Sequence, residues 1–342
     1  MFFRLACKGE YYEPNANISQ EIKDAVPEDI ALTYWDYYHD DITLYNGMID
    51  KHLEFNREVW FAGGAYSWNG GIAPMNAFSL KVMKPAMQSV REKKIENVLI
   101  TMWGDNGKEC SFFNLLPSLY AIRQYADGNT DEESIKKGFY ELFGIDYGEF
   151  MTLDIPNKVD IGELTFSNPS KCLLYTDPFM GIMDKTLETV PHIPYDEYAK
   201  TLRNFAKTAK EFAGLFNVQA DLCNVLTIKA ELGIKTRTAY NNKNKTALKS
   251  VIKDYKRLKK RLERLHESFY ILWHQDNKPQ GWEIQDARLG GLMQRIKTCE
   301  NRLKDYANGK LDKIDELEEE LLLQSEYLIE NRYPELISRS IL

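Results

Sequence analysis

At 342 residues, with 44% hydrophobic and 12% aromatic side chains, the chain is long enough to bury a large core, which excludes a disordered protein. A net charge of −7 without long like-charge blocks gives no electrostatic case for nucleic acid or an anionic membrane as partner. Five cysteines, an odd number with no C-x-x-C spacing, argue against a disulfide frame or a zinc site and for reduced thiols in a cytoplasmic setting. No apolar run is long enough to span a bilayer, and the opening Met1 to Arg4 is too short and wrongly built for a secretory signal.

In chain order, residues up to Gly128 alternate short apolar strands with amphipathic helices. Ile30–Trp35 reads as a first strand leading into Asp36, Tyr37, Tyr38 and His39. A helix follows, capped by Asp40 or Asp41, with Ile42, Tyr45, Ile49 and Leu53 on one face. Val59–Ala65 is a second strand, where the Gly63-Gly64 pair suggests either a bulge or a close backbone approach by a ligand. A loop from Tyr66 to Gly71 precedes a helix carrying Phe78, Val82 and Val90, which Pro85 is expected to bend or restart. Val98–Thr101 is the third strand, read as buried on both faces. Strands recurring at this spacing with helices between them predict a parallel sheet whose ligands belong at the strand carboxyl ends.

Polar and aromatic residues gather at those ends. Trp35 and Asp36 close the first strand, Tyr66 and Trp68 the second, and Trp103, Asp105 and Glu109 the third. An indole stacks on the apolar C–H face of a sugar ring and carboxylates accept from its hydroxyls, so the pattern fits a sugar site. The competing reading is that the rings plug the top of a barrel and Asp105–Gly107 is only a turn.

Beyond Gly128 the pattern becomes helical. Thr130 with Glu133 reads as a capping box before Ile135, Phe139 and Leu142, with Gly144 as the stop. The proline-bearing stretch Asp154–Pro194 reads as a connector packed on the preceding domain. In Val251–Trp273 the apolar residues Val251, Tyr255, Leu258, Leu262, Leu265, Phe269 and Leu272 alternate steps of four and three, and Leu289, Leu292, Ile296, Cys299, Leu303 and Tyr306 recur likewise. This predicts an antiparallel bundle within the chain rather than an intermolecular coiled coil, with the basic residues from Lys256 to Arg264 as a solvated face.

The runs YWDYYHDD, VWFAGGAYSWNGGIAPMN and LITMWGDNGKE resemble the last three strand-to-loop segments of glycoside hydrolase family 20, the exo-β-N-acetylhexosaminidases. The later run NKPQGWEIQDARLGGLMQR is similar to the intracellular bacterial branch that carries a helical carboxyl-terminal domain, and MFFRLACKGEYY resembles the segment after the family's fifth barrel strand. The resemblance implies an α/β plus all-α fold: an incomplete TIM (β/α)8 barrel of the last three βα units over 1–128, a helix and connector packed on it over 129–194, and an α-helical bundle domain over 195–342. The first half of the barrel is expected to be absent.

The family's reaction is substrate-assisted retaining hydrolysis of terminal N-acetylglucosaminides, in which the acetamido oxygen attacks the anomeric carbon and an Asp-Glu pair orients and protonates. That pair ends the family's fourth strand, which the resemblance places upstream of Met1 and which is therefore expected to be absent here. Asp131-Glu132, Asp196-Glu197 and Asp315-Glu316 are each placed at a helix start or within a helical pattern, so none is expected to serve. The resemblance assigns Tyr66, or Trp68 in its place, as donor to the acetamido carbonyl, Trp35 and Trp103 as walls of the sugar ring, and Asp105 or Glu109 as acceptors from its hydroxyls. A catalytic pair made of Asp105 and Glu109 is the rival, disfavoured because both come from one loop. No cofactor or metal is implied. The expected partners are an N-acetylglucosamine-containing glycan and either a second copy or a chain supplying the missing half-barrel. The alternative is a non-catalytic sugar-binding or assembly protein derived from the family.

Overall fold

Three parallel strands, β1 (Leu32–Trp35), β2 (Val59–Gly64) and β3 (Asn97–Thr101), form a sheet of order β1-β2-β3. The register runs from Leu32 opposite Val59 to Trp35 opposite Ala62, and from Trp60 opposite Asn97 to Gly64 opposite Thr101. The computed structural model describes residues 11–68, 71–159, 169–188, 192–321 and 333–338. Of the opening run MFFRLACKGEYY, only Tyr11 and Tyr12 fall within them. The chain divides into two units, one of Met1–Tyr66, Met75–Trp103 and Leu115–Met151, the other of Ser67–Pro74, Gly104–Asn114 and Thr152–Leu342. The stretch read as a connector falls in the second unit, whose main segment opens at Thr152.

In the first unit the helices are α1 (Gln20–Asp24), α2 (Ile42–Leu53), α3 (Asn76–Glu92), α4 (Leu116–Ala126), α5 (Glu132–Phe143) and α6 (Tyr147–Met151). Asp41 caps α2 by accepting from Thr43 N at 2.8 Å. The buried arc of α2 is Tyr45, Met48, Ile49 and His52, a true 3.6-residue spacing, so Leu53 falls off it and is 38% exposed, against expectation. The expected bulge at Gly63-Gly64 is absent, because the ladder continues through Gly63 opposite Ile100. Glycine is needed there for packing: a Cβ would stand 2.5 Å from Met83 Sδ on α3. Helix α3 runs unbroken through Pro85, held by buried Val82, Met83, Ala86 and Met87, so the expected kink does not end it.

Strand β3 is not buried on both faces. Leu99 is 43% exposed, because among the described residues β3 pairs only with β2. The cap of α5 is Asp131, which accepts from Ser134 N at 2.8 Å, rather than the Thr130–Glu133 box: a carboxylate one residue later is the better acceptor. Ile135 and Phe139 are buried, Leu142 is exposed, and Gly144 ends the helix at φ 67°.

The second unit holds α7 (Pro169–Tyr175), α8 (Asp184–Leu187), α9 (Tyr195–Phe205), α10 (Ala213–Lys229), α11 (Leu232–Asn241), α12 (Lys245–Asp276), α13 (Trp282–Ala307), α14 (Asp315–Glu318) and α15 (Tyr333–Ile337). All seven residues of α7 are buried, so this part of the expected connector is core. The periodic residues of α12 and of α13 up to Leu303 are buried as expected, with Tyr306 half-buried. Contacts of His266 with Asp286 at 2.7 Å and of Trp273 with Trp282 at 5.9 Å make the two helices an antiparallel hairpin within one chain. The basic stretch of α12 is not wholly solvated, since Arg261 donates to Asn224 O and Arg264 to Asp221, both on α10. Among the described residues no helix is long and apolar enough to cross a membrane.

Candidate functional site

Trp35 ends β1, and Trp103 stands two residues beyond β3. Their rings stack with centroids 5.6 Å apart at 29°, and Trp35 is 38% exposed. A sugar held between two indoles would need two contacts of about 3.5–4 Å, so the pair forms one platform rather than two separated walls. Tyr66, two residues beyond β2, is buried in the same unit against Tyr38 at 6.4 Å and Phe78 at 4.8 Å, and its N–H donates to Ser79 Oγ at 2.8 Å.

Next to Trp35 in sequence is Asp36, fully buried. It accepts from Tyr34 Oη at 2.7 Å and Tyr38 N at 3.0 Å, and its Oδ2 is 2.8 Å from His39 Nδ1. Burial first, and the Asp36 charge second, hold the Tyr34 hydroxyl well above the usual tyrosine range, so it stays a donor. Tyr12 packs on the His39 ring at 4.5 Å.

The other expected residues belong to the second unit. Trp68 is buried in the 67–74 segment, whose Ile72 carbonyl accepts from Gln219 Nε2 at 2.9 Å and whose Ala73 and Pro74 carbonyls accept from Asn157 Nδ2 at 3.3 and 3.2 Å. Asp105 opens a 3-10 turn and is exposed. After it come three consecutive residues at positive φ, Asn106 (57°), Gly107 (110°) and Lys108 (49°). For Asn106 and Lys108 this backbone costs on the order of 1 kcal/mol or more each, and such strain persists only where surrounding contacts enforce it.

Those contacts are present. The Asn106 carbonyl accepts from Lys171 Nζ at 3.0 Å and Arg288 Nη1 at 2.8 Å, and the Gly107 carbonyl from Gln285 Nε2 at 2.7 Å. Lys108 donates to Asn277 Oδ1 at 2.7 Å, and Ser111 to the Asp276 carboxylate. Glu109, 1% exposed, accepts from Tyr175 Oη at 2.9 Å and Arg288 Nη1 at 3.2 Å, with Lys171 Nζ 3.4 Å from its second oxygen. That last contact is an ion pair by distance without hydrogen-bond geometry. Burial pushes the Lys171 ammonium down and Arg288 adds to this, while Glu109 pulls it back. A Cβ on Gly107 would overlap the Arg288 guanidinium, so only glycine admits that side chain.

The structure thus brings Trp35 and Trp103 together with Tyr66 in one unit, and places Trp68, Asp105 and Glu109 in the other. Two groups escaped the sequence reading. The Tyr34–Asp36–His39 set was visible only as an aromatic-acidic run. Lys171 stood as a lone lysine in an apolar stretch, KCLLY, a pattern that itself marks a buried charge needing a partner. A cavity of about 970 Å³ lies in the helical unit beside Arg203, Lys210, Asp221 and Arg264, and none of the expected residues lines it. No cluster of three or more potential metal ligands occurs among the described residues.

No curated protein matches the chain. The family model for the Glycoside Hydrolase 20C C-terminal domain matches residues 146–331, more than half of the chain, and spans every helix from α7 to α14. With this match over the helical unit, the chain belongs to the Glycoside Hydrolase 20C C-terminal domain family.

Proposed function

We propose that this chain is the carboxyl-terminal part of an exo-acting β-N-acetylhexosaminidase, that its three parallel strands are the last of a (β/α)8 barrel, and that their carboxyl ends take a terminal N-acetylglucosamine. The observation that carries the reading is the partly exposed Trp35–Trp103 stack at the ends of β1 and β3, with Tyr66 following the strand between them. The stacked indoles receive the apolar face of the sugar, and Tyr66 donates to the acetamido oxygen.

The acid and the orienting carboxylate come from outside this sequence. Of its Asp-Glu dipeptides, Asp131-Glu132 caps and opens α5, Asp196-Glu197 lies in the first turn of α9 and Asp315-Glu316 opens α14; none follows a strand. The pair and the remaining strands are supplied by another segment or a partner chain, in the cytoplasm, and the chain by itself does not hydrolyse.

Titration of the full chain with N-acetylglucosamine, followed by heteronuclear NMR, tests the reading. Affinity of about millimolar is expected of an open platform, with Trp103→Ala abolishing it and Tyr270→Ala, on an exposed aromatic of α12, leaving it intact. No binding by the parent, or hydrolysis of an aryl β-N-acetylglucosaminide by the purified chain, would overturn the proposal.

A further inference from the structure

We infer that the helical unit shapes the loops that follow β2 and β3, and that Arg288 is the positioning residue on which the placement of Asp105 depends. The unit spends buried side chains on loop carbonyls. Gln219 on α10 and Asn157 hold the 67–74 segment by three carbonyls, and Lys171 on α7 with Gln285 and Arg288 on α13 hold the turn after Asp105 by two. Gln219, Gln285 and Lys171 are each at most 1% exposed. A helical bundle needing only a core would bury Leu or Ile at these positions, since burying amides and an ammonium costs free energy unless each finds its acceptor.

Arg288 holds the centre. One nitrogen, Nη1, is 2.8 Å from the Asn106 carbonyl and 3.2 Å from Glu109 Oε1, so it ties the residue after Asp105 to the buried carboxylate three positions further on. Its guanidinium lies 4.8 Å over the Tyr333 ring and occupies the space that a side chain at position 107 would fill. Between these anchors the backbone has three residues at positive φ, a conformation that relaxes when the bridge is cut. Asp105 is exposed and, among the described residues, has no anchor of its own beyond the turn it opens, so its direction follows that backbone.

The test uses the full chain with hydrogen–deuterium exchange of the 104–109 amides and trypsin cleavage after Lys108. Arg288→Met is expected to raise exchange of those amides at least tenfold and open the Lys108 site, with the amides of α10 and α12 unchanged. Arg288→Lys keeps the buried charge but offers one ammonium for two acceptors; it should raise loop exchange by a smaller factor, and it decides the matter if the methionine variant does not fold. Asp105→Asn, which leaves the bridge intact, should give parent-level exchange. Loop exchange and cleavage at the parent level in both Arg288 variants would overturn the inference, as would a rise spread equally over α10 and α12.

Discussion

Asp36 in the first unit and Glu109 in the second are both buried carboxylates in the segment that follows a strand, yet their surroundings differ in kind. Asp36 is answered by a phenol, a backbone amide and an imidazole, whereas Glu109 is answered by a phenol, a guanidinium and an ammonium. The difference extends beyond the pair. Among the described residues Asp36 is the one buried carboxylate of the first unit, while the second buries Glu109, Asp177, Asp184, Asp221 and Glu300, of which Asp177 pairs with Arg295 and Asp221 with Arg203 and Arg264. The sheet unit therefore orients its buried charge with hydrogen bonds, and the helical unit uses charge pairs as internal ties. A charge pair fails harder when cut, because the partner left behind is itself charged and dry.

The largest effect comes from that asymmetry. Glu109→Gln strands Lys171 and Arg288 and is expected to cost about 3–5 kcal/mol. Asp36→Asn keeps an acceptor and strands no lysine or arginine, and should cost about 1.5–3 kcal/mol. Urea unfolding of both variants makes the measurement, and equal losses would show that the nature of the partner does not matter here.

Much of this organisation was legible in the residues. The three strands and the apolar faces of α12 and α13 follow from β-branched runs and 3.6-residue spacing, which are local properties. The placement of Trp35 and Trp103 at one end of the sheet is a corollary of parallel topology. The hidden part was set by distant partners. That Glu109 is enclosed depends on Lys171 and Arg288, 62 and 179 positions away in sequence, and no periodicity within a loop announces this. The exposure of Leu99 and Leu53 was misread for a related reason: apolar character marks what can be buried, and the neighbours decide what is.

Acid should separate the units. Burial pushes the His52 imidazole down to about 4, although its hydrogen bond to the Met48 carbonyl pulls the other way. Its folded value lies below its unfolded value of 6.5, so the stability it carries is complete above pH 6.5 and is lost as pH falls toward 4, by roughly 3 kcal/mol at most. In the second unit burial pushes Asp184 up to about 6 against an unfolded 3.8, with nearby Lys229 and Arg237 opposing. A raised carboxylate gives the opposite sign: its contribution is fully present below pH 3.8 and is lost as pH rises through 6. Exchange protection of α2 should therefore fall between pH 6.5 and 4 before that of α8, and His52→Gln should flatten the loss in α2. Protection in α2 that does not change over this range would mean that His52 does not charge.

The smallest effect concerns a carboxylate of a third kind, exposed and answered by backbone alone. Asp131 accepts from Ser134 N at 2.8 Å and donates its own N–H to Asn129 Oδ1 at 3.1 Å, so the chain reaches α5 already turned. A cap works because the first N–H groups of a helix have no partner within it, and a side-chain oxygen at the right residue supplies one; a carboxylate also lies favourably at the positive end of the helix. Asp131→Ala should then cost about 1 kcal/mol. Thr130, which the spacing to Glu133 suggested as the cap, stands one residue too early, and Thr130→Ala should cost less than about 0.5 kcal/mol. The two variants measured side by side by thermal unfolding place this neutral-donor arrangement on the same scale as Asp36. A larger loss from Thr130→Ala than from Asp131→Ala would return the start of α5 to the box and remove Asp131 from the set of carboxylates that the first unit satisfies without a cation.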